Sequence, residues 1–263
     1  MMNFSNILQK IIMMKTLIET VKKNKNFYAY LICFWIIPLI NSNAQTVGEI
    51  LASHFKATGS EKLLDVQTIT TRGTLKQGGF EIPIVTFNKR PNKVKIEGLF
   101  QDVKFIESFN GKTGWTYNPF RGNTEPVPLS AEYLEILKDR ADIDGLLYNY
   151  ADKGYALSLL DPVNVGNTLT DVLLLTKPDK SIITYFIDSE TNVVIKTISK
   201  MNIDGVESEF ETIFSDYRFV DEILFPFSID VMSVGQLLIE YDYSIIVLDK
   251  EIDDSIFEMP GTE

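Results

Sequence analysis

The chain has 263 residues, 45% hydrophobic and 11% aromatic, which is ample apolar matter for a folded core in one large or two small domains. Its 36 acidic and 25 basic residues give a formal net charge of −11, which argues against nucleic acid as a partner and against attraction to an anionic membrane surface. One histidine and one cysteine leave no material for a multi-histidine metal site or an internal disulfide.

Residues 1–44 read as a secretory leader. Lys22, Lys23 and Lys25 precede an apolar run over 27–40, and Ser42-Asn43-Ala44 puts small residues at the −3 and −1 positions, so cleavage is expected before Gln45. The run holds about 14 apolar residues against the roughly 20 that a spanning helix needs. An amphipathic prelude over 7–21 makes Met13 or Met14 a candidate start. Cys33 sits inside the apolar run with Phe34-Trp35-Ile36-Ile37 after it, which disfavours a lipid-anchored product. Cleavage at Ala44 leaves a mature chain without cysteine, hence without a thiol nucleophile or thiolate metal site, and with a net charge of −15.

The mature chain opens with a helix over 47–56, in which Ile50, Leu51 and Phe55 share one side and Gly59 supplies the stop. His54 lies on it and reads as a surface or half-buried residue; without another histidine no Ser-His-Asp triad can form around a different one. Extended segments follow over 68–76 and 80–89, joined by Gly78-Gly79. The second carries apolar groups on both faces, Ile82 and Ile84 against Val85 and Phe87, and so predicts a strand covered on both sides. Strands over 93–100 and 103–110, the Asn110-Gly111 turn and Trp115-Thr116-Tyr117 continue an antiparallel meander.

A loop over 121–128 leads to a helix over 130–142, with Ser130 as cap and Tyr133, Leu134 and Leu137 as its apolar stripe; residues 145–150 offer a short second helical piece. Strands then resume over 155–160, 169–176, 181–187, 193–201, 206–216, 227–233 and 235–247, separated by turn residues at short intervals. Consecutive hairpins of this length make one antiparallel sheet that must curl or nearly close. The fold class expected is mainly β (α+β): a single domain over 45–263, with one strongly curved antiparallel sheet forming an incomplete barrel and helices over its concave face.

Between residues 206 and 214, Val206, Phe210 and Phe214 face one way and Glu207, Glu209 and Glu211 the other. The glutamate row is either a solvated strand face or an acidic docking strip. Catalytic motifs are lacking. Gly111-Lys112-Thr113 resembles the tail of a phosphate loop, but Ile106 stands where a glycine is required. Asp142-x-Asp144-Gly145 begins like a calcium loop, but Leu146 and Lys153 occupy ligand positions. No G-x-S-x-G occurs. A non-enzyme without metal or cofactor is expected.

Two blocks carry a resemblance: Lys89-Arg90-Pro91-Asn92 and, some twenty residues on, Gly111-Lys112-Thr113-x-Trp115-x-Tyr117-Asn118-Pro119-Phe120. In order and near-spacing they resemble the LolA family of outer-membrane lipoprotein carriers. Lys93 departs from that pattern where the family has an apolar residue, and no motif outside the two blocks matches. The resemblance implies a periplasmic carrier in a Gram-negative bacterium, monomeric, that takes the acyl chains of lipoproteins from an inner-membrane lipoprotein-releasing transporter and passes them to an outer-membrane acceptor. It implies that helical inserts form the lid of a hydrophobic cavity and that Arg90 couples lid opening to cargo entry by bonding the lid backbone. Val94, Ile96, Phe105, Trp115 and Tyr117 are the cavity candidates. The alternatives are a carrier or sensor for another lipid, and a protein-interaction module acting through its acidic strands.

Overall fold

The structure, a computed structural model, describes residues 45–203 and 205–261; the leader read over 1–44 lies outside the described residues. Helix α1 (Val47–Thr58) starts at a capping box, in which Glu49 N donates to Thr46 Oγ1 and Thr46 N donates to the Glu49 carboxylate. It ends on Gly59 in the left-handed region, where a Cβ would lie 2.4 Å from the carbonyl oxygen of Glu222. A single turn, α2 (Ser60–Leu63), follows.

One sheet takes in thirteen strands among the described residues. The first six are β1 (Thr68–Gln77), β2 (Phe80–Lys89), β3 (Lys93–Phe100), β4 (Val103–Phe109), β5 (Gly114–Tyr117) and β6 (Val127–Pro128). After helix α3 (Ala131–Ala141) come β7 (Ala156–Val165), β8 (Thr168–Thr176), β9 (Ile182–Asp188), β10 (Val194–Ile203), β11 (Val206–Val220), β12 (Ile223–Ser233) and β13 (Gln236–Leu248). Their order is β6-β5-β4-β3-β2-β1-β13-β12-β11-β10-β9-β8-β7, antiparallel throughout. Each half is a meander, and the pairing of β1 with β13 joins them.

Because β6 and β7 occupy opposite edges, the connection between them has to cross the sheet. Helix α3 makes that crossing and touches β3 and β4 on one side and β10 on the other. Five strands separate β3 from β10. In a flat sheet that is a span of roughly 29 Å, and a helix about 10 Å across cannot bridge it. The sheet is therefore curled around α3, as expected from the run of hairpins.

The concave face is filled from two directions. Ile50 and Leu51 of α1 pack against Leu173 and Leu175 of β8 and Ile183 and Ile187 of β9, while Leu137 and Ala141 of α3 pack on Val94, Ile96 and Phe109. On the opposite face the C-terminal segment folds back as a 3-10 turn (Asp254–Phe257), which buries Phe257 completely. The Phe257 carbonyl accepts from Ser108 Oγ at 3.0 Å and from Trp115 Nε1 at 2.9 Å, and Asp254 pairs with Lys89 and Lys93.

Several local readings differ from expectation: β7 runs on to Val165 rather than ending at 160, and the loop over 121–128 ends in the short strand β6. Residues 146–154 form consecutive turns rather than a helical piece. Strand β11 does not stop at Asp216: that residue adopts φ 51°, is skipped in the register with β12, and the strand continues to Val220. Strand β12 accordingly starts before Pro226, which stands opposite Tyr217 next to the unpaired position at Asp216, with the register unchanged on either side. The glutamate row is largely neutralised, with Glu209 paired to Lys200 at 3.0 Å and Glu211 to Lys196 at 3.3 Å across β10 and β11.

His54 is half-buried, and its Nδ1 lies 2.8 Å from the carbonyl oxygen of Asn192 in the β9–β10 turn, pinning α1 to the second meander. Burial holds its pKa below the ordinary value, with the Asn192 carbonyl opposing in part. The unfolded chain therefore binds more protons than the folded one just below about pH 6.5, and stability falls as pH drops through that window. In urea titrations at pH 7.5, 6.5 and 5.5, the His54→Leu variant should lose less of its midpoint on acidification than the parent; an identical loss would show that His54 contributes nothing to the slope.

Candidate ligand cavity

Helix α3 is amphipathic in three directions. Leu137 and Ala141 point into the sheet with Leu134 beside them. Tyr133, Ile136 and Arg140, spaced i, i+3, i+7, line one flank, and Glu132, Glu135 and Asp139 line the other. Ser130 stands at the N-cap position but its side chain makes no capping bond.

Each flank faces a cavity. On the first side a space of about 520 Å³ opens between α3 and the strands β1 to β4 and β13, walled by Ile82, Phe100, Phe105, Ile239 and Tyr241. This is within the range of roughly 300–1,000 Å³ typical of small-molecule sites. Its floor depends on Gly98: the Phe105 ring lies across β3 at a point where a Cβ on residue 98 would sit 2.0 Å from the ring. On the second side a space of about 490 Å³ is lined by charged groups, among them Glu135, Asp139, Lys177, Lys200 and Glu207. Ile136 borders both.

The mouth of the apolar cavity is ringed by aromatics. Phe80, Phe100 and Phe120 meet edge to face, with centroids 5.0 and 5.3 Å apart, and Phe80 and Phe120 are 52% and 51% exposed. By the antiparallel order, the β3–β4, β10–β11 and β12–β13 turns lie at the same end of the strands as the β1–β2 turn. Those tips also display apolar side chains to solvent: Val103, Val206 and Val234.

Of the five residues expected to line a cavity, the structure brings Ile96 and Phe105 to it. Val94 is on the same face but wholly buried beneath Leu137 and Ala141. Trp115 and Tyr117 lie on the other face of the sheet, where Trp115 is buried and hydrogen-bonded to the C-terminal turn. The register gives the reason: Gly114 and Thr116 stand opposite Phe109 and Glu107, which point toward α3, so the residues alternating with them point away.

Arg90 lies at the β2–β3 turn, away from the cavity. Its Nε donates to Val66 O at 2.7 Å, its Nη2 to Leu63 O at 3.0 Å, and both terminal nitrogens engage the Asp144 carboxylate. It thus ties the segment after α2 to the turn that follows α3. Hydrogen bonding to Asp144 raises its pKa further, against burial, so the guanidinium stays charged. The residue missed by sequence reasoning is Arg140, whose signal was the seven-residue spacing from Tyr133.

Beyond the polar cavity, Lys177 is 6% exposed and its Nζ lies 2.8 and 2.9 Å from the two oxygens of Asp139. Burial pulls the ammonium down, but Asp139 more than offsets this and leaves its pKa above the ordinary value. No three His, Cys, Asp or Glu side chains among the described residues converge to hold a metal ion, and no described helix is long and apolar enough to cross a membrane.

The sequence matches no family model and no curated protein. Solved structures do match. A DUF1329 family protein from Desulfovibrio piger superposes with a TM-score of 0.56 at 14% identity, covering 81% of this chain and 99% of that one. A LolA superfamily protein from Nitrosomonas europaea gives 0.56 at 14% identity, covering 82% and 98%. The fold is LolA-like. A putative outer membrane lipoprotein-sorting protein domain from Vibrio parahaemolyticus gives 0.52 at 14% identity over 80% and 94%. The fold is thus shared with these proteins at 14% identity.

Removing Asp139 leaves a buried ammonium without its counter-charge. Asp139→Ala should destabilise the protein by about 3 kcal/mol in chemical denaturation, and Asp139→Leu combined with Lys177→Met should recover most of that loss. Equal losses in the single and double variants would mean that the pair is not coupled.

Proposed function

We propose that the chain is an exported carrier that shelters acyl chains in the apolar cavity beside α3 and passes them to an acceptor. The observation that carries this reading is the cavity of about 520 Å³ with its apolar walls and exposed aromatic mouth. A monomeric soluble protein gains nothing from such a rim unless something apolar passes it. At about 0.8 kcal/mol per buried CH₂, a single acyl chain supplies on the order of 10 kcal/mol, enough to hold cargo without a dedicated polar site.

On this reading residues 1–44 are the export leader, cut before Gln45, and the protein works in the periplasm as a carrier rather than an enzyme. The LolA-like fold and its likeness to a lipoprotein-sorting domain support lipoproteins as cargo, with an inner-membrane transporter to load the protein and an outer-membrane acceptor to unload it. Arg90 favours the closed state, because its bonds to Leu63, Val66 and Asp144 brace the segments that flank α3. Lid closure then competes with bound cargo, and that competition is what permits release.

Native mass spectrometry of the exported protein, purified without detergent, tests the reading. A lipid or acylated-protein adduct lost on mild activation supports it; a protein that arrives empty and takes up no apolar fluorescent probe overturns it. Arg90→Leu should fold, load apolar cargo and release it several-fold more slowly to acceptor vesicles. Parental release by that variant would remove the role given to Arg90.

A further inference from the structure

The apolar cavity contains a cation, Arg140, whose nearest wall carboxylate, Glu107, forms no ion pair with it. Arg140 lines the cavity among Ile82, Phe105, Tyr133 and Tyr241, and its side chain is accessible from the lumen rather than packed. Protein surrounds it nevertheless: burial is the largest influence on its charge, and Tyr241, Glu107 and Tyr243 are the groups that counter it, Tyr241 through a hydrogen bond. Arg140 takes part in none of the ion pairs among the described residues. Its backbone is fixed, since Arg140 O accepts from Asn88 Nδ2 at 2.7 Å and the next residue, Ala141, is buried against the sheet.

A guanidinium that makes no ion pair and lines a largely apolar cavity beside Tyr133 and Tyr241 is a recognition element for a carboxylate or a phosphate. From this geometry we infer that the cargo is an amphiphile with an anionic head, its chain lying along Phe100, Phe105 and Ile82 and its head on Arg140 and the Tyr241 hydroxyl. The inference rests on the carrier reading and narrows it: the head enters first and the chain trails toward the aromatic mouth. Glu107 also lines the cavity and favours the Arg140 cation, so it competes with the incoming head and weakens, without abolishing, anion binding. Free fatty acids and lipid phosphates share the required chemistry.

The test uses the exported protein, stripped of bound lipid and loaded with the neutral probe N-phenyl-1-naphthylamine. Dodecanoate, dodecyl phosphate and dodecanol then compete for the site. Both anions should displace the probe at concentrations at least tenfold below dodecanol, and the tighter of the two identifies the head group. Arg140→Gln should abolish that preference, Arg140→Lys should keep most of it, and Glu107→Gln should increase it a few-fold. If dodecanol competes as well as the anions, or if Arg140→Gln weakens all three ligands equally, the anionic head is refuted while the carrier reading stands. If the parent protein takes up no probe, the carrier reading itself fails, and this inference with it.

Discussion

The structure depends on one crossing. Two antiparallel meanders, joined side by side through β1 and β13, leave their free edges β6 and β7 at opposite sides of the sheet, and only one connection links them. That connection must either run around the rim or traverse the concave face. It traverses, and α3 is the part of it that can bury an apolar stripe on the way. Curvature follows, because only a curled sheet lets a single helix rest on β3 and β10 together. One helix also cannot fill the space that it spans. The two cavities are what remains on either flank of a plug about 10 Å wide, and α1, docked on β8 and β9, fills another part of the same face without reaching them.

What each cavity can hold is set by which side of α3 faces it. Successive positions on a helix turn by 100°, so the run from Tyr133 to Arg140 sends Leu134, Leu137 and Ala141 into the sheet, Tyr133 and Arg140 to one side, and Glu132, Glu135 and Asp139 to the other. The acidic side meets lysines: Lys177 closes on Asp139, and Lys200, already engaged by Glu209, stands nearby. Charges there compensate one another around a lining that also includes Ile136, Ile182, Ile183 and Met201. On the other side the sheet contributes Ile82, Phe100, Phe105 and Ile239, and Glu107 and Tyr241 stand near Arg140 without forming an ion pair with it. The contrast between the flanks lies in the partners supplied by the two meanders, since α3 carries a cation or anion on either side.

Much of this plan was legible in the residues. Hairpin turns at Gly78-Gly79 and Asn110-Gly111 and the stop at Gly59 were visible because glycine acts locally, whereas the strand at 80–89, expected to be covered on both faces, buries Ile82 and Ile84 on one and leaves Val85 and Phe87 partly exposed on the other. The faces of the short strand β5 were not legible. Period-two alternation says that Trp115 and Tyr117 lie together, but not whether their side is lined by α3 or by the C-terminal turn, and it was the distant Phe257 that claimed them. Arg140 escaped notice for a related reason. A charged residue at the end of an apolar stripe ordinarily marks a solvent-facing helix terminus, and only the curl of the sheet, a property of seven strands acting together, turns that position inward. Asp216 misled in the other direction: it adopts a positive φ, yet β11 continues past it with its register to β12 unchanged.

The anchoring of α3 is lopsided, and magnitudes decide which end can move. At its C-terminal end, Asp139 is paired with buried Lys177, Arg140 O is held by Asn88, and the following turn is fastened by Asp144 to Arg90 and by Asp142 to Lys153. Breaking a buried ion pair of this kind costs roughly 3–5 kcal/mol, so freeing that end would exceed the few kcal/mol within which a lid can exchange. At its N-terminal end Ser130 provides no side-chain cap, and the chain is held by the Leu129 N to Gly114 O bond at 3.0 Å and by apolar contacts of Leu129 and Leu134. Those are worth about 1 kcal/mol for the hydrogen bond and a similar amount for each partly exposed side chain. The end of α3 that leads from Phe120 and β6 is therefore the more weakly held of the two. Arg90 sits with the firmly held end, bonded to Asp144 in the turn that follows α3, while Tyr133 lies nearer the weakly held one.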